Sequence, residues 1–409
     1  MGRILRTTSA FLVAAAALLW VTPSALAQNG TATWSAASQA GYTLTIGSTT
    51  YTYHSSQSGC GAAICVLFGG SASDSAGNMR AAINDNAAQC VNPAGSGCFF
   101  NITSANASVT ATVCSNVVTV TNITGSSVSW SSSVPTNMVL TPSSIAAASQ
   151  GQVTESSACN VNVTSASTTG SISLDLSSLG SSNTYLLVGI SIVQNSAAST
   201  PTVSSIKWGG SGGTALTQVC SASETASSSN WVSMGIWGLQ NPSAISSTVA
   251  ITLSGSTVFQ AGAVAFTHVS SLGTCATQTH KGGDAVSSTS VTVTAPGTGG
   301  AVFDTLAVES IVASSSFTLS PTAGQTPLWN LVDPTPPGGA NCQSGGCTAG
   351  GAGSWAGNVT TMSYSFPGPS LSNSAYGAIP VIAAGSTSGR KGQTVIGALL
   401  PPDRAGSRE

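Results

Sequence analysis

Between Tyr185 and Val269 the apolar positions recur at every second residue, in four successive runs. Leu186, Val188, Ile190 and Ile192 fall on one face of the first run, and Val232, Met234 and Ile236 on one face of the second. Val249, Ile251 and Leu253 mark a third run, and Val264 and Phe266 a fourth. Side chains of an extended strand alternate between its two faces, so this spacing predicts four strands, each with a buried face. Gly, Ser, Asn and Pro separate the runs, as they do in a β-sandwich.

The same reading extends along the chain. Tyr42–Tyr53 predicts a hairpin, with YTLTI and TTYTY flanking a turn at Gly47-Ser48. Ser73–Ala88 is the one stretch with helical spacing, through Met79, Ala82 and Ile83, and Ser73 or Asp74 would cap it. Val109, Ala111 and Val113 answer Val118 and Val120 across Ser115-Asn116 in a second hairpin. Residues 28–130 therefore read as a hairpin–helix–hairpin (ββαββ) module. Residues 131–165 are dominated by Ser, Thr, Ala and Pro, and this composition predicts a linker. Residues 166–385 supply about ten strands, enough for two packed sheets. Pro334–Gly353 predicts a long loop, and residues 386–409 a tail that holds Arg390, Lys391, Arg404 and Arg408. The expected fold class is mainly β, a small ββαββ module stapled by disulfides followed by an antiparallel β-sandwich.

Charge narrows the function classes. Only 5% of the 409 residues are charged, against roughly 25% in a typical soluble domain. No Lys/Arg cluster is present to neutralise phosphates, which argues against nucleic acid and against binding at an anionic membrane surface. Arg3 and Arg6, the apolar run Ala10–Val21 and Ala25-Leu26-Ala27 read as a signal peptide over residues 1–27. Its removal takes the formal net charge from −2 to −4. No later stretch reads as a transmembrane helix, so the expected location is secreted or at the cell surface.

Ten cysteines in an exported chain read as disulfides. Proximity suggests Cys60–Cys65, Cys90–Cys98, Cys220–Cys275 and Cys342–Cys347, leaving Cys114 and Cys159 to pair across the junction of the two units. No pair has C-x-x-C spacing, and no metal or other cofactor is expected.

Two resemblances accompany these patterns. The segments YTLTIGSTTYTYHSS, NMRAAINDNA and SVTATVCSNVVTVTN resemble the ββαββ modules of phage-tail and adhesin-type bacterial proteins, which implies a structural building block. The segments NTYLLVGISI, VSSIKWGGSGGTALTQV, WVSMGIWGLQNP and STVAITLSG…QAGAVAFTHV resemble jelly-roll-like sandwich domains of bacterial secreted and surface proteins. That likeness implies an exported module without a catalytic motif.

Candidate chemistry is sparse. A glycoside hydrolase needs two carboxylates facing each other across a cleft. Asp175, Glu224, Asp284, Asp304, Glu309 and Asp333 are the candidates, and Glu309 stands out beside Val308 and Ile311-Val312. Nucleophilic catalysis has only His54, His268 and His280 to draw on, without a G-x-S-x-G elbow. His268, His280 and Asp284 have no specific metal spacing. Trp231 and Trp237 lie an even number of residues apart, on the face opposite Val232, Met234 and Ile236. If those three face a core, the tryptophans face outward or toward a neighbouring element: an exposed pair would stack on a sugar or an apolar ligand, and a covered pair would pack under the long loop or the first unit. The leading expectation is a non-enzymatic, exported protein for adhesion, structure or ligand display. The alternatives are a carbohydrate-binding module using Trp231 and Trp237, and an extracellular glycoside hydrolase. Expected partners are extracellular glycans or surface proteins, with self-assembly through a free sheet edge as a further route.

Overall fold

The computed structural model describes residues 29–385, apart from 62, 92–96, 125, 142–143, 146–151, 178, 181, 195–200, 226–230, 282–286, 311–318, 334–347 and 367–370. The signal-peptide segment, the Cys342–Cys347 pairing and the basic tail lie outside the described residues. The described residues are mainly β, built from sheets that are antiparallel except for one parallel pair, Thr49–His54 with Cys65–Leu67, with one short α-helix.

The first unit starts with β1 (Asn29–Trp34), the hairpin strands β2 (Thr43–Ile46) and β3 (Thr49–His54), and β4 (Cys65–Leu67). The helix α1 runs over Ala72–Ile83. It starts one residue earlier than its spacing suggests because Ser71 is the cap, its Oγ accepting the Asp74 backbone N–H at 3.0 Å. Asp85, at φ 47°, turns the chain out of the helix. Then come β5 (Phe99–Phe100), the second hairpin β6 (Val109–Cys114) and β7 (Val117–Asn122), β8 (Val128–Ser132), β9 (Met138–Thr141) and β10 (Ser144–Ile145). The two hairpins belong to different sheets, ordered β6-β7-β1-β9 and β10-β8-β2-β3-β4-β5. Trp34, Tyr51, Tyr53 and Met79 fill the core between the sheets and the helix.

The stretch expected to be a linker, residues 131–165, is largely built into sheets. Met138–Thr141 pairs with β1, and Met138 is fully buried. A Ser/Thr-rich segment cannot form a core of its own, but here it adds strands to sheets whose cores other segments supply. Its second half begins β11 (Thr154–Asp175), a 22-residue strand that links the two units.

The second unit continues with β12 (Tyr185–Gln194), β13 (Val203–Trp208), β14 (Thr214–Ala215), β15 (Thr217–Thr225), β16 (Trp231–Gln240) and β17 (Ser246–Thr267). The third and fourth predicted strands are one strand, β17. Ser254-Gly255-Ser256 reads as a turn, yet β17 runs through it and stays paired with β11 on either side, where the register slips between Val163 and Thr169. On its other edge the first half of β17 pairs with β13 and the second half with β12. This single long strand therefore turns the sheet corner. β14 pairs with β13 and leads through Leu216, whose N–H reaches the Ile206 carbonyl at 2.9 Å, into β15, which pairs with β16. The result is a nearly closed barrel-like sheet.

Beyond it lie β18 (Val269–Leu272), β19 (Ala276–His280), β20 (Ser288–Thr292), β21 (Ala301–Ser310), β22 (Ser320–Pro321), β23 (Thr326–Asp333), β24 (Thr348–Gly357), β25 (Thr361–Ser365) and β26 (Leu371–Ala383). One sheet, β18-β26-β21-β24-β23 with β19 also on β26, packs on the outside of the barrel through Val232, Met234, Ile236, Phe266, Phe303 and Trp329. Its far face packs on the small sheet β20-β25-β22. Trp329 fits between barrel and sheet because three strands carry glycine under it. A Cβ on Gly262 or Gly353 would stand 2.1 Å from the indole, and one on Gly189 2.8 Å.

Among the described residues four disulfides are formed: Cys60–Cys65, Cys90–Cys98, Cys114–Cys159 and Cys220–Cys275. Cys114–Cys159 ties β6 of the first unit to β11. Arg80 on α1 forms an ion pair with Asp175 at the end of β11, both nearly buried, and Arg80 also donates to the Gln89 carbonyl at 2.8 Å. The units are thus locked by a covalent bond and a desolvated charge pair.

Candidate functional site

Both faces of the barrel sheet are buried. Leu186, Val188, Ile190 and Ile192 point inward with Trp208, Trp231 and Trp237, while Val232, Met234 and Ile236 point outward against the covering sheet. The two tryptophans do share the face opposite Met234. They form no exposed platform, since each is only 8% exposed. The reason is curvature: an outward face on a flat sheet becomes the inside of a barrel once β13, β14 and β15 close it.

The closure is incomplete, and a cleft of about 420 Å³ opens between β13 and the β15–β16 hairpin. This size lies within the range of roughly 300–1,000 Å³ typical of small-molecule sites. Ile190 and Ile192 of β12 form an aliphatic wall. The floor is β16, where Trp237 covers Gly235: a Cβ there would lie 2.3 Å from Cζ3 of the indole and 2.6 Å from Cη2. Ser233 continues the floor to Trp231. The opposite rim is β15, with the exposed side chains of Gln218, Ser221 and Ser223.

The rim depends on a local irregularity. Gln218 pairs with Trp237 and Cys220 with Ile236, so Val219 is an extra residue, a β-bulge. Without it, Gln218 would share the face of Cys220 and Ala222, against the covering sheet. The bulge brings Gln218 into phase with Ser221 and Ser223, which lie opposite Gly235 and Ser233. None of the described residues lining the cleft is titratable. By strand alternation Glu224 faces the other way, with Cys220 and Ala222.

The carboxylates do not meet at a cleft. Asp304 is fully buried between the covering sheet and the small sheet. It accepts from the Ser354 N–H at 2.6 Å, the Tyr376 hydroxyl at 2.7 Å, the Ser354 hydroxyl at 2.9 Å and the Tyr364 hydroxyl at 3.2 Å. Loss of hydration pushes its pKa up to about 7, only partly opposed by these donors. Glu309 is buried against Asn373, which donates to it at 2.8 Å, and desolvation lifts it to about 7. Glu155, which was not among the sequence candidates, is buried where the barrel meets the covering sheet. It accepts from Trp355 Nε1 at 2.6 Å and is also raised by desolvation to about 7. Asp175 belongs to the Arg80 ion pair, Asp333 is buried, and Asp284 lies outside the described residues.

The histidines are equally scattered. His268 is exposed at a turn with φ 59°, and His280 Nε2 lies 3.2 Å from the Thr289 hydroxyl. Among the described residues no group of three His, Cys, Asp or Glu side chains could hold a metal ion, and no helix is long and apolar enough to cross a membrane. Comparison with family profiles, with curated proteins and with solved structures returned no match.

Proposed function

We propose that this chain is an exported, non-catalytic protein that displays a seat for a small uncharged ligand at the open side of its barrel. The observation that carries the reading is the cleft itself, about 420 Å³, part indole and aliphatic, part hydroxyl and amide, with no ionisable group in its lining. General acid–base or nucleophilic chemistry needs a titratable group within reach of substrate, and the buried carboxylates are engaged elsewhere. Four disulfides support a working place outside the reducing cytoplasm, secreted or at a cell surface. An adhesive role and a display role meet here, because a surface protein that grips a neutral ligand adheres through it.

The test uses N-phenyl-1-naphthylamine, an uncharged probe that fluoresces when it leaves water. The mature chain is expected to enhance its emission saturably. Ser221→Tyr, a change at an exposed rim position that fills the cleft, is expected to abolish the enhancement while the melting temperature stays the same. Equal enhancement by both proteins, or none by either, would overturn the reading.

A further inference from the structure

We propose that the ligand of this cleft is a neutral saccharide, one ring packed on the Trp237 indole and its hydroxyls paired with Gln218, Ser221 and Ser223. The proposal rests on the reading of the cleft as a ligand seat and adds the chemical class. A sugar ring is amphipathic: its C–H faces are apolar and its edge is a fence of hydroxyls. The cleft has the matching division. Its floor offers the part of the Trp237 indole that lines the cleft and its wall the side chains of Ile190 and Ile192, apolar surface for C–H groups. Its rim offers an amide and two hydroxyls, each able both to donate and to accept, as a sugar hydroxyl requires.

The rim is also periodic. Ser221 and Ser223 are two residues apart on one strand face, a separation of about 6.6 Å, comparable to the span of a hexose edge. Gln218 joins them only because the Val219 bulge turns it inward. Bulges re-aim side chains next to functional sites. Bulges also serve the closure of barrels; what this one adds is a third polar side chain on the inner face, for which a purely apolar ligand would have no use.

Charge sets the limit of the class. With no Lys, Arg or His in the lining, nothing offsets the desolvation of a carboxylate or sulfate, so uronic, sialylated and sulfated sugars are disfavoured. With no carboxylate, amino sugars that carry a free ammonium are disfavoured on the same ground.

The experiment probes the mature chain with immobilised chitotriose, maltotriose, cellotriose, galactobiose, a sialylated trisaccharide and a sulfated disaccharide, followed by titration calorimetry of any that bind. At least one neutral glycan is expected to bind and neither acidic one. Gln218→Ala/Ser223→Ala is expected to weaken glycan binding about tenfold or more through the lost hydrogen bonds, while N-phenyl-1-naphthylamine still binds. Probe binding without any glycan binding, or preferred binding of the acidic glycans, would overturn the saccharide assignment and leave the seat standing. Failure of both probe and glycans would overturn the seat as well.

Discussion

Two interiors of the second unit solve the same problem in opposite ways. Inside the barrel, the polar groups Gln218, Ser221 and Ser223 stand at an open rim with solvent-exposed side chains. Between the covering sheet and the small sheet, Asp304 is fully buried and is claimed by two tyrosines and Ser354. A polar group buried and fully paired contributes to the uniqueness of a fold, and leaving any member of such a network unpaired is costly. A polar group at a rim costs the fold little and is free to recognise something. The difference supports the proposal that the barrel mouth binds while the sealed layer stabilises.

The strongest way to break that comparison is to remove the sealed acceptor. Asp304→Ala strands the hydroxyls of Tyr364 and Tyr376 in an apolar layer, and the expected loss is about 3 kcal/mol or more by chemical denaturation. A loss under about 1 kcal/mol would show that the layer is wet or tolerant. The second effect is that of pH. Asp304, Glu309 and Glu155 stand near 7 when folded, whereas free carboxyls titrate near 4. The folded chain therefore holds protons that the unfolded chain gives up. Their contribution to stability is expected to be fully present below pH about 4, to fall as pH rises from about 4 to 7, and to level off above. Denaturant midpoints across this range check it, and Asp304→Asn together with Glu309→Gln should flatten the slope.

A smaller effect is expected where barrel and covering sheet touch. Gly262→Ala forces a Cβ to within 2.1 Å of Trp329, and overpacking of this kind costs about 1–3 kcal/mol, measurable in urea together with a changed near-ultraviolet spectrum. The smallest is at the rim. Ser221→Ala should alter stability by less than about 0.5 kcal/mol, because its side chain is exposed. A large loss there would mean that the rim is structural.

Much of the local fold was legible. Both hairpins follow their turn residues, with Gly47 at φ 60° and Ser115 at φ 52°, and the period-two runs became strands. Cys114 and Cys159, left over once the other cysteines are paired by proximity, are bonded to each other. What failed to show was long-range. Ser254-Gly255-Ser256 looks like a turn, and only pairing with β11 keeps the strand going through it. Trp231 and Trp237 reveal a shared face by their spacing, but not that the sheet would curl that face inward. The Val219 bulge has no local signature, since it is defined by register against β16. The Asp304 network is invisible for the same reason: its tyrosine partners lie 60 and 72 residues away.

The central claim, that the barrel mouth is the place where this protein binds, is tested most directly by methyl NMR on the mature chain labelled at isoleucine δ1, titrated with a neutral trisaccharide and with N-phenyl-1-naphthylamine. Ile190 and Ile192 line the cleft, whereas Ile251 lies in the same core away from it and Ile379, on β26 of the covering sheet, packs against the outside of the barrel. The account predicts saturable shifts at Ile190 and Ile192 with Ile251 and Ile379 unmoved. Shifts centred on Ile379, or none at saturating concentrations of either compound, would contradict it.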